Sequence, residues 1–174
     1  MTDLSPHGLH RRRTLLATAA LGATATLGLS AGCAGRDSAP DSTFVLLDGS
    51  KATTADFKGK VTLVNFWATT CVTCVKEMPQ IIATWHKYQG QGFDTMAVAM
   101  EYDPPAWVLN FAQSRQMPFK VALDNTGEIA RQWGDVKLTP TTYLVDKQGQ
   151  IVKRYVGEPD FAALHTLIEK LLAA

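Results

Sequence analysis

Apolar and polar positions along this chain fall into blocks whose lengths predict its elements. Phe44-Val45-Leu46-Leu47, running into Asp48-Gly49, reads as a short strand entering a turn. Val61 to Trp67 is a continuous, largely apolar run, the pattern of a strand buried on both faces. Between Cys71 and Gln89, Val75, Met78, Ile82 and Trp85 recur at three- and four-residue spacing, which predicts a helix. Pro79 lies inside it and is expected to kink it, since proline lacks an N–H and crowds the preceding turn. Phe93 to Met100 is another buried strand. Pro105 to Gln116 reads as a helix with proline at its first position. Phe119 to Leu123 is a strand, and Thr126 to Trp133 a short helix closed by Gly134. Thr141 to Val145 and Ile151 to Val156 are strands joined by a tight turn, so they pair antiparallel. Asp160 caps a last helix whose Phe161, Leu164, Leu167, Ile168 and Leu171 make an apolar stripe. The order is β, β-α, β-α, β-α, β-β, α. It predicts an α/β fold with a mixed central sheet flanked by helices, parallel crossovers first and an antiparallel hairpin last.

The first 33 residues follow a different pattern. His10-Arg11-Arg12-Arg13 precedes an uncharged run of Leu, Ala, Thr and Gly from Thr14 to Gly35. A basic start, a moderately apolar middle and small residues at the end describe an export signal. Arg12-Arg13-Thr14-Leu15-Leu16 resembles the twin-arginine signal. Leu29-Ser30-Ala31-Gly32-Cys33-Ala34 resembles a bacterial lipoprotein signal, in which the cysteine becomes a lipid-bearing terminus. Ser30 stands where that signal has an apolar residue, so two outcomes are open for Cys33: lipidation, or a plain cysteine beside a cleavage site. Either an acyl chain on Cys33 or an uncleaved helix would tether the protein to a membrane. Residues 34–42 read as a flexible spacer and 43–174 as the folded domain.

Charge narrows the partners. The chain carries 17 Lys and Arg against 16 Asp and Glu, and without residues 1–33 it keeps 14 basic and 15 acidic side chains. That near-neutral balance offers no basic field for a nucleic acid. Three cysteines are too few for a disulfide scaffold or a four-thiolate zinc site.

Two of those cysteines carry the candidate chemistry. Cys71-Val72-Thr73-Cys74 follows a buried strand and opens a helix. Cysteines three apart on a helix share a face and can bridge. The first lies among unpaired backbone N–H groups at the positive end of the helix, which stabilises a thiolate. Cys71 is therefore expected to be the exposed, attacking sulfur, with Cys74 a turn deeper to resolve the mixed disulfide. A static structural disulfide remains an alternative. A zinc site lacks a second ligand pair near His86, and haem attachment fails because Val75 follows Cys74.

Val64 to Pro79, centred on Cys71-Val72-Thr73-Cys74, resembles the active-site stretch of the TlpA/ResA-like thioredoxin superfamily. Leu138-Thr139-Pro140-Thr141-Thr142-Tyr143-Leu144-Val145-Asp146 resembles its second signature. The resemblance implies a thioredoxin fold with an extra central strand-helix insertion, fitting the 66 positions from Cys74 to Pro140. It also implies a cis Thr139–Pro140 bond facing Cys71, with the Thr139 backbone placed to pair with an extended substrate. A plain strand-starting proline is the alternative. Asn65 stands where thioredoxins have a buried aspartate, and Glu77 matches the acidic residue that relays the proton in ResA-like members. Glu77 as an ordinary surface residue is the competing possibility. Thr70 replaces a tryptophan frequent before the first cysteine, and Trp67 is expected as a site wall contributing to substrate binding. Glu101-Tyr102-Asp103-Pro104-Pro105 reads equally as a partner groove or an ordinary loop.

The resemblance implies a thiol–disulfide oxidoreductase that reduces disulfides in client proteins; with the N-terminal signal it is expected to be periplasmic and tethered to the membrane, and no cofactor or metal is expected. Apocytochrome c cysteines and copper-site thiols are the implied clients, and a membrane thiol reductase of the DsbD/CcdA kind the implied electron donor. Two other functions stay open on the same site: a disulfide-donating oxidase, and a non-catalytic copper-chaperone or binding module.

Overall fold

The structure is a computed structural model and describes residues 37–174. The expected export signal, Cys33 and the first part of the spacer lie outside the described residues. Seven strands form one mixed sheet in the order β2-β1-β5-β4-β3-β6-β7. They are β1 (Thr43–Leu46), β2 (Lys51–Thr53), β3 (Val61–Trp67), β4 (Phe93–Ala99), β5 (Lys120–Leu123), β6 (Thr141–Val145) and β7 (Ile151–Val156). The helices are α1 (Val72–Tyr88), α2 (Pro105–Ser114), α3 (Glu128–Gln132) and α4 (Phe161–Ala173). Strands β3, β4 and β5 run parallel, while β1 pairs antiparallel with β5 and β6 antiparallel with β3. The parallel crossovers and the closing hairpin stand as the periodicity predicts.

Strand alternation sorts the core into two layers. Val61, Leu63 and Trp67 of β3 face one side with Leu144 of β6, where they meet Met78 and Ile81 of α1, Val108 of α2, and Leu164 and Ile168 of α4. Val64 and Phe66 face the other side with Tyr143 and Val145, against Phe44, Phe57, Ile129 and Trp133. Asn65 therefore points into the α1 side of the sheet, opposite Thr142 in the β3–β6 register. A buried polar pair is thus built into a hydrophobic layer.

Two differences from the sequence expectations have local causes. Lys51–Thr53 adds an edge strand, β2, and Thr54–Phe57 a single 3-10 turn. A three-residue strand is too short to show a period. Residues 37–42, expected as spacer, are laid along the domain: Ser38 bridges Gln150, and the Ile151 N–H donates to Asp37 O at 2.8 Å. Ser42 is buried, accepting from Trp133 Nε1 (3.1 Å) and donating to Gln132 Oε1 (2.7 Å). Small polar residues read as flexible only until partners for their hydrogen bonds are known. Pro79 lies inside α1, as expected, on its exposed side.

Helix α4 begins where Asp160 accepts from the N–H groups of Ala162 (2.9 Å) and Ala163 (3.1 Å). Removing that carboxylate leaves two amides without their acceptor. Asp160→Ala is expected to lower unfolding free energy by about 1 kcal/mol in urea denaturation. Asp160→Asn is expected to restore most of it, and equal losses in the two variants would contradict the cap.

Candidate active site

The turn between β3 and α1 is fixed before its cysteines are reached. The Met100 N–H donates to Trp67 O (3.0 Å), holding the end of β3 against the exit of β4. Asp103, buried in the β4–α2 loop, accepts from both the Thr69 N–H (2.6 Å) and the Thr69 hydroxyl (2.5 Å). A carboxylate with two donors in fork geometry clamps the loop two residues before Cys71. Asp103 was legible only as one acid in an ambiguous loop, because its partner is remote in sequence.

Cys71 is the N-cap of α1, and its Sγ accepts from the Cys74 N–H at 3.2 Å. The sulfur thus takes the place of the oxygen that usually satisfies a helix's first donors. Cys71 is partly exposed, while Cys74 is fully buried in the α1 layer. The two are joined as a disulfide with Cα atoms 5.2 Å apart. The next residues, Val72 and Thr73, are exposed. A partner can approach Cys71 from solvent; it cannot reach Cys74.

Glu77, one turn beyond Cys74, has no exposed surface. Its Oε1 accepts from Asn65 Nδ2 (3.0 Å), and the same amide donates to Thr142 Oγ1 (2.9 Å). Among the described residues, Glu77 Oε2 and Asn65 Oδ1 find no partner, and no Lys or Arg pairs with Glu77. Burial pushes the Glu77 carboxyl up to about 7; the Asn65 hydrogen bond pulls it back, and the charge of Glu158 pushes it further up. Glu158 is itself tied to α1 through Lys76, at 3.1 Å. This places Glu77 in the protein interior, not on the surface of α1.

The Thr139–Pro140 peptide bond is cis. It stands at the sheet end that carries Cys71, because β6 runs antiparallel to β3 and starts where β3 stops. The Gly157 N–H donates to Pro140 O at 2.8 Å, from a left-handed backbone (φ +88°) that favours glycine. The Thr139 hydroxyl lies 3.3 Å from the Tyr102 hydroxyl, which joins the loops after β4 and before β6. Trp67 is placed differently from the expectation. Its indole is fully buried, with its ring centroid 5.0 Å from Phe111, so it backs the site from within and presents no surface to a substrate. Both faces of β3 are covered, and alternation puts Trp67 with Val61 and Leu63 on the face packed by α1 and α2, where Phe111 lies over it.

A partly exposed sulfur at a helix start, a buried partner sulfur and a carboxyl near neutrality form a set suited to exchanging disulfides. On a mixed sheet of this topology they define the class, a thioredoxin-like thiol–disulfide oxidoreductase. The chain belongs to the Redoxin family, whose pattern matches residues 34–168. It is 35% identical over 133 residues to the thiol-disulfide oxidoreductase ResA of Bacillus thuringiensis subsp. konkukian, covering 76% of each chain. The Bacillus subtilis ResA is 34% identical over 124 residues, 70% of this chain and 68% of that one. A thiol:disulfide interchange protein of the thioredoxin family from Chlorobium tepidum superposes with a TM-score of 0.73 at 26% identity, covering 80% of this chain and 98% of that one. Disulfide-containing proteins are accordingly its clients. Among the described residues, no helix is long and apolar enough to cross a membrane.

The burial of Glu77 has a measurable sign. Between pH 4.5 and about 7 the folded protein holds a proton on Glu77 that the unfolded chain has released. Stability contributed by this group is therefore full below pH 4.5 and lost as pH rises through about 7. In the oxidised protein, Glu77→Gln is expected to gain roughly 1–3 kcal/mol relative to wild type between acid and alkaline pH. Urea unfolding at pH 4.5 and pH 8 measures it, and a pH-independent difference would place the carboxyl in water.

Proposed function

We propose that this protein is an exported reductant of client disulfides, with Cys71 as attacking sulfur, Cys74 as resolving sulfur and Glu77 as the acceptor of the Cys74 proton. The observation that carries this is the burial of Glu77 one helical turn from a buried Cys74, beneath a solvent-facing Cys71. The Cys71 thiolate attacks the client disulfide, forming a mixed disulfide and releasing one client thiolate. Cys74 gives its proton to the Glu77 carboxylate and attacks Cys71 Sγ. The Cys71–Cys74 disulfide forms and the second client thiolate leaves, so two electrons pass to the client. Asn65 cannot accept a proton as a base, but its amide holds the carboxylate in place.

A carboxyl near pH 7 is suited to this task, because a general base works best with a pKa close to the operating pH. The Thr139 backbone beside Pro140 aligns the client as an added strand. Clients of the apocytochrome c or copper-site thiol type, and recharging by a membrane thiol reductase of the DsbD/CcdA type, complete the proposed cycle. Export by the Arg12-Arg13 signal, with a tether through residues 1–33 or a lipid on Cys33, places it in the periplasm.

Direction is the property that separates this function from disulfide donation. Equilibration with glutathione is expected to give a reduction potential nearer the roughly −270 mV of thioredoxin than the roughly −120 mV of strong oxidants. A Cys74→Ser variant is expected to trap clients as mixed disulfides on Cys71. A potential near −120 mV would reverse the assigned electron flow.

A further inference from the structure

Several large apolar side chains are exposed at the end of the sheet that carries Cys71. Among the described residues, the exposed large hydrophobic side chains include Val72 (83% exposed), Leu138 (66%) and Trp107 (58%), with Tyr102 and Val156 also more than half exposed. All five belong to one end of the sheet. Val72 opens α1 after β3, and Tyr102 and Trp107 follow β4. Leu138 precedes β6, whose first residue, Thr141, pairs with Val156.

One of these side chains, Trp107, also borders a hollow beside the active-site turn. Thr69, Thr70, Trp107, Asn110, Phe111 and Ser114 line a cavity of about 400 Å³. Trp107, Asn110, Phe111 and Ser114 recur at three- and four-residue spacing, so they form one face of α2. The opposite wall is Thr70, the residue immediately before Cys71, whose small side chain leaves the space open. The floor is firm, because Phe111 packs on the buried Trp67 at 5.0 Å between centroids, and Asp103 clamps Thr69 in place. All six lining residues are uncharged, two are aromatic, and Asn110 offers an amide at the rim.

We propose that this hollow is a side-chain subsite for the client, receiving an aromatic or large aliphatic residue close in sequence to the cysteine that bonds to Cys71. The inference rests on the exchange reaction proposed above and adds a rule of client choice, with Trp107 as the specificity-determining residue. Continuity with the reacting sulfur is the first reason. A client bonded to Cys71 must run its flanking residues over neighbouring surface, and each residue advances only about 3.3–3.6 Å. A residue within three of the client cysteine therefore reaches the Thr70 wall. The second reason is chemical complementarity. An uncharged, aromatic-walled hollow rewards removal of apolar surface from water and penalises a charge that arrives without a partner. The third is that Trp107 keeps more than half of its surface in solvent, at a position where an incoming chain would cover it.

The test uses peptides carrying one cysteine as a thionitrobenzoate mixed disulfide. The Cys71 thiolate attacks the peptide sulfur, the peptide joins Cys71, and coloured thionitrobenzoate leaves. A single Phe is scanned from three residues before the cysteine to three after it, against the same peptide with Ser throughout. With reduced wild-type protein, at least one Phe register is expected to react about tenfold or more faster than the Ser peptide, as burial of one aromatic side chain implies. The ratio is expected to fall to near one in Trp107→Ala and to persist in Trp107→Phe. Because Trp107 is largely exposed, these variants keep the core intact, and equal unfolding midpoints verify it. A ratio near one in wild type, or an undiminished ratio in Trp107→Ala, overturns the subsite while leaving the exchange chemistry standing. Release of thionitrobenzoate from no peptide at all would overturn the exchange role of Cys71, and the subsite with it.

Discussion

A carboxyl group held inside an apolar layer without a cation is the constraint on which the rest of this site depends. Glu77 keeps one hydrogen bond, from Asn65, and its second oxygen has no partner among the described residues. Burial of this kind is unfavourable for an ionised carboxylate, and the group answers by holding its proton to about pH 7. The unfavourable placement is also the functional one. A surface glutamate would be fully ionised at neutral pH and a poor match to a thiol that must release its proton in a dry site. Asn65 supports the carboxyl without competing for the proton. It reaches Glu77 because strand alternation turns it toward α1, and the register with β6 gives its amide a second acceptor in Thr142.

The same architecture separates the two sulfurs. The end of β3, tied to the exit of β4 and clamped through Thr69 and Asp103, delivers the chain into α1 with Cys71 as the cap. Here the cap residue keeps part of its surface in solvent, and the residue three further on lies inside the first turn, in the core layer between α1 and the sheet. Exposure of Cys71 and burial of Cys74 thus follow from one helix start. The attacking sulfur receives the Cys74 N–H of the helix start and solvent access. The resolving sulfur receives neither, and depends on a nearby base.

Much of this was legible in the sequence, and the remainder was hidden for physical reasons. Long apolar runs such as Val61–Trp67 and Phe93–Ala99 announce central strands, because burial on both faces leaves few alternatives. The position of Cys71 follows from a strand that stops and an amphipathic helix that starts. The short edge strand β2 and the packed segment 37–42 carry no period, and their pairing is set by partners far along the chain. Trp67 looked like a wall of the substrate surface because it is near Cys71 in sequence. Both faces of β3 are covered, and Trp67 lies beneath Phe111 of α2. Asp103 and Trp107 are functional by position alone; each meets the site across a crossover connection that sequence spacing does not reveal.

The central claim is that Glu77 accepts the proton of Cys74 during resolution. Its most direct test is stopped-flow kinetics of a preformed mixed disulfide on Cys71, comparing wild type with Glu77→Gln from pH 5 to pH 8. The variant preserves the shape of the side chain while removing its basic oxygen. Resolution is expected to slow about ten- to a hundredfold near neutral pH, the low end for a positioned proton-transfer group, while initial attack by Cys71 changes little. Resolution at the wild-type rate throughout that range would contradict the account.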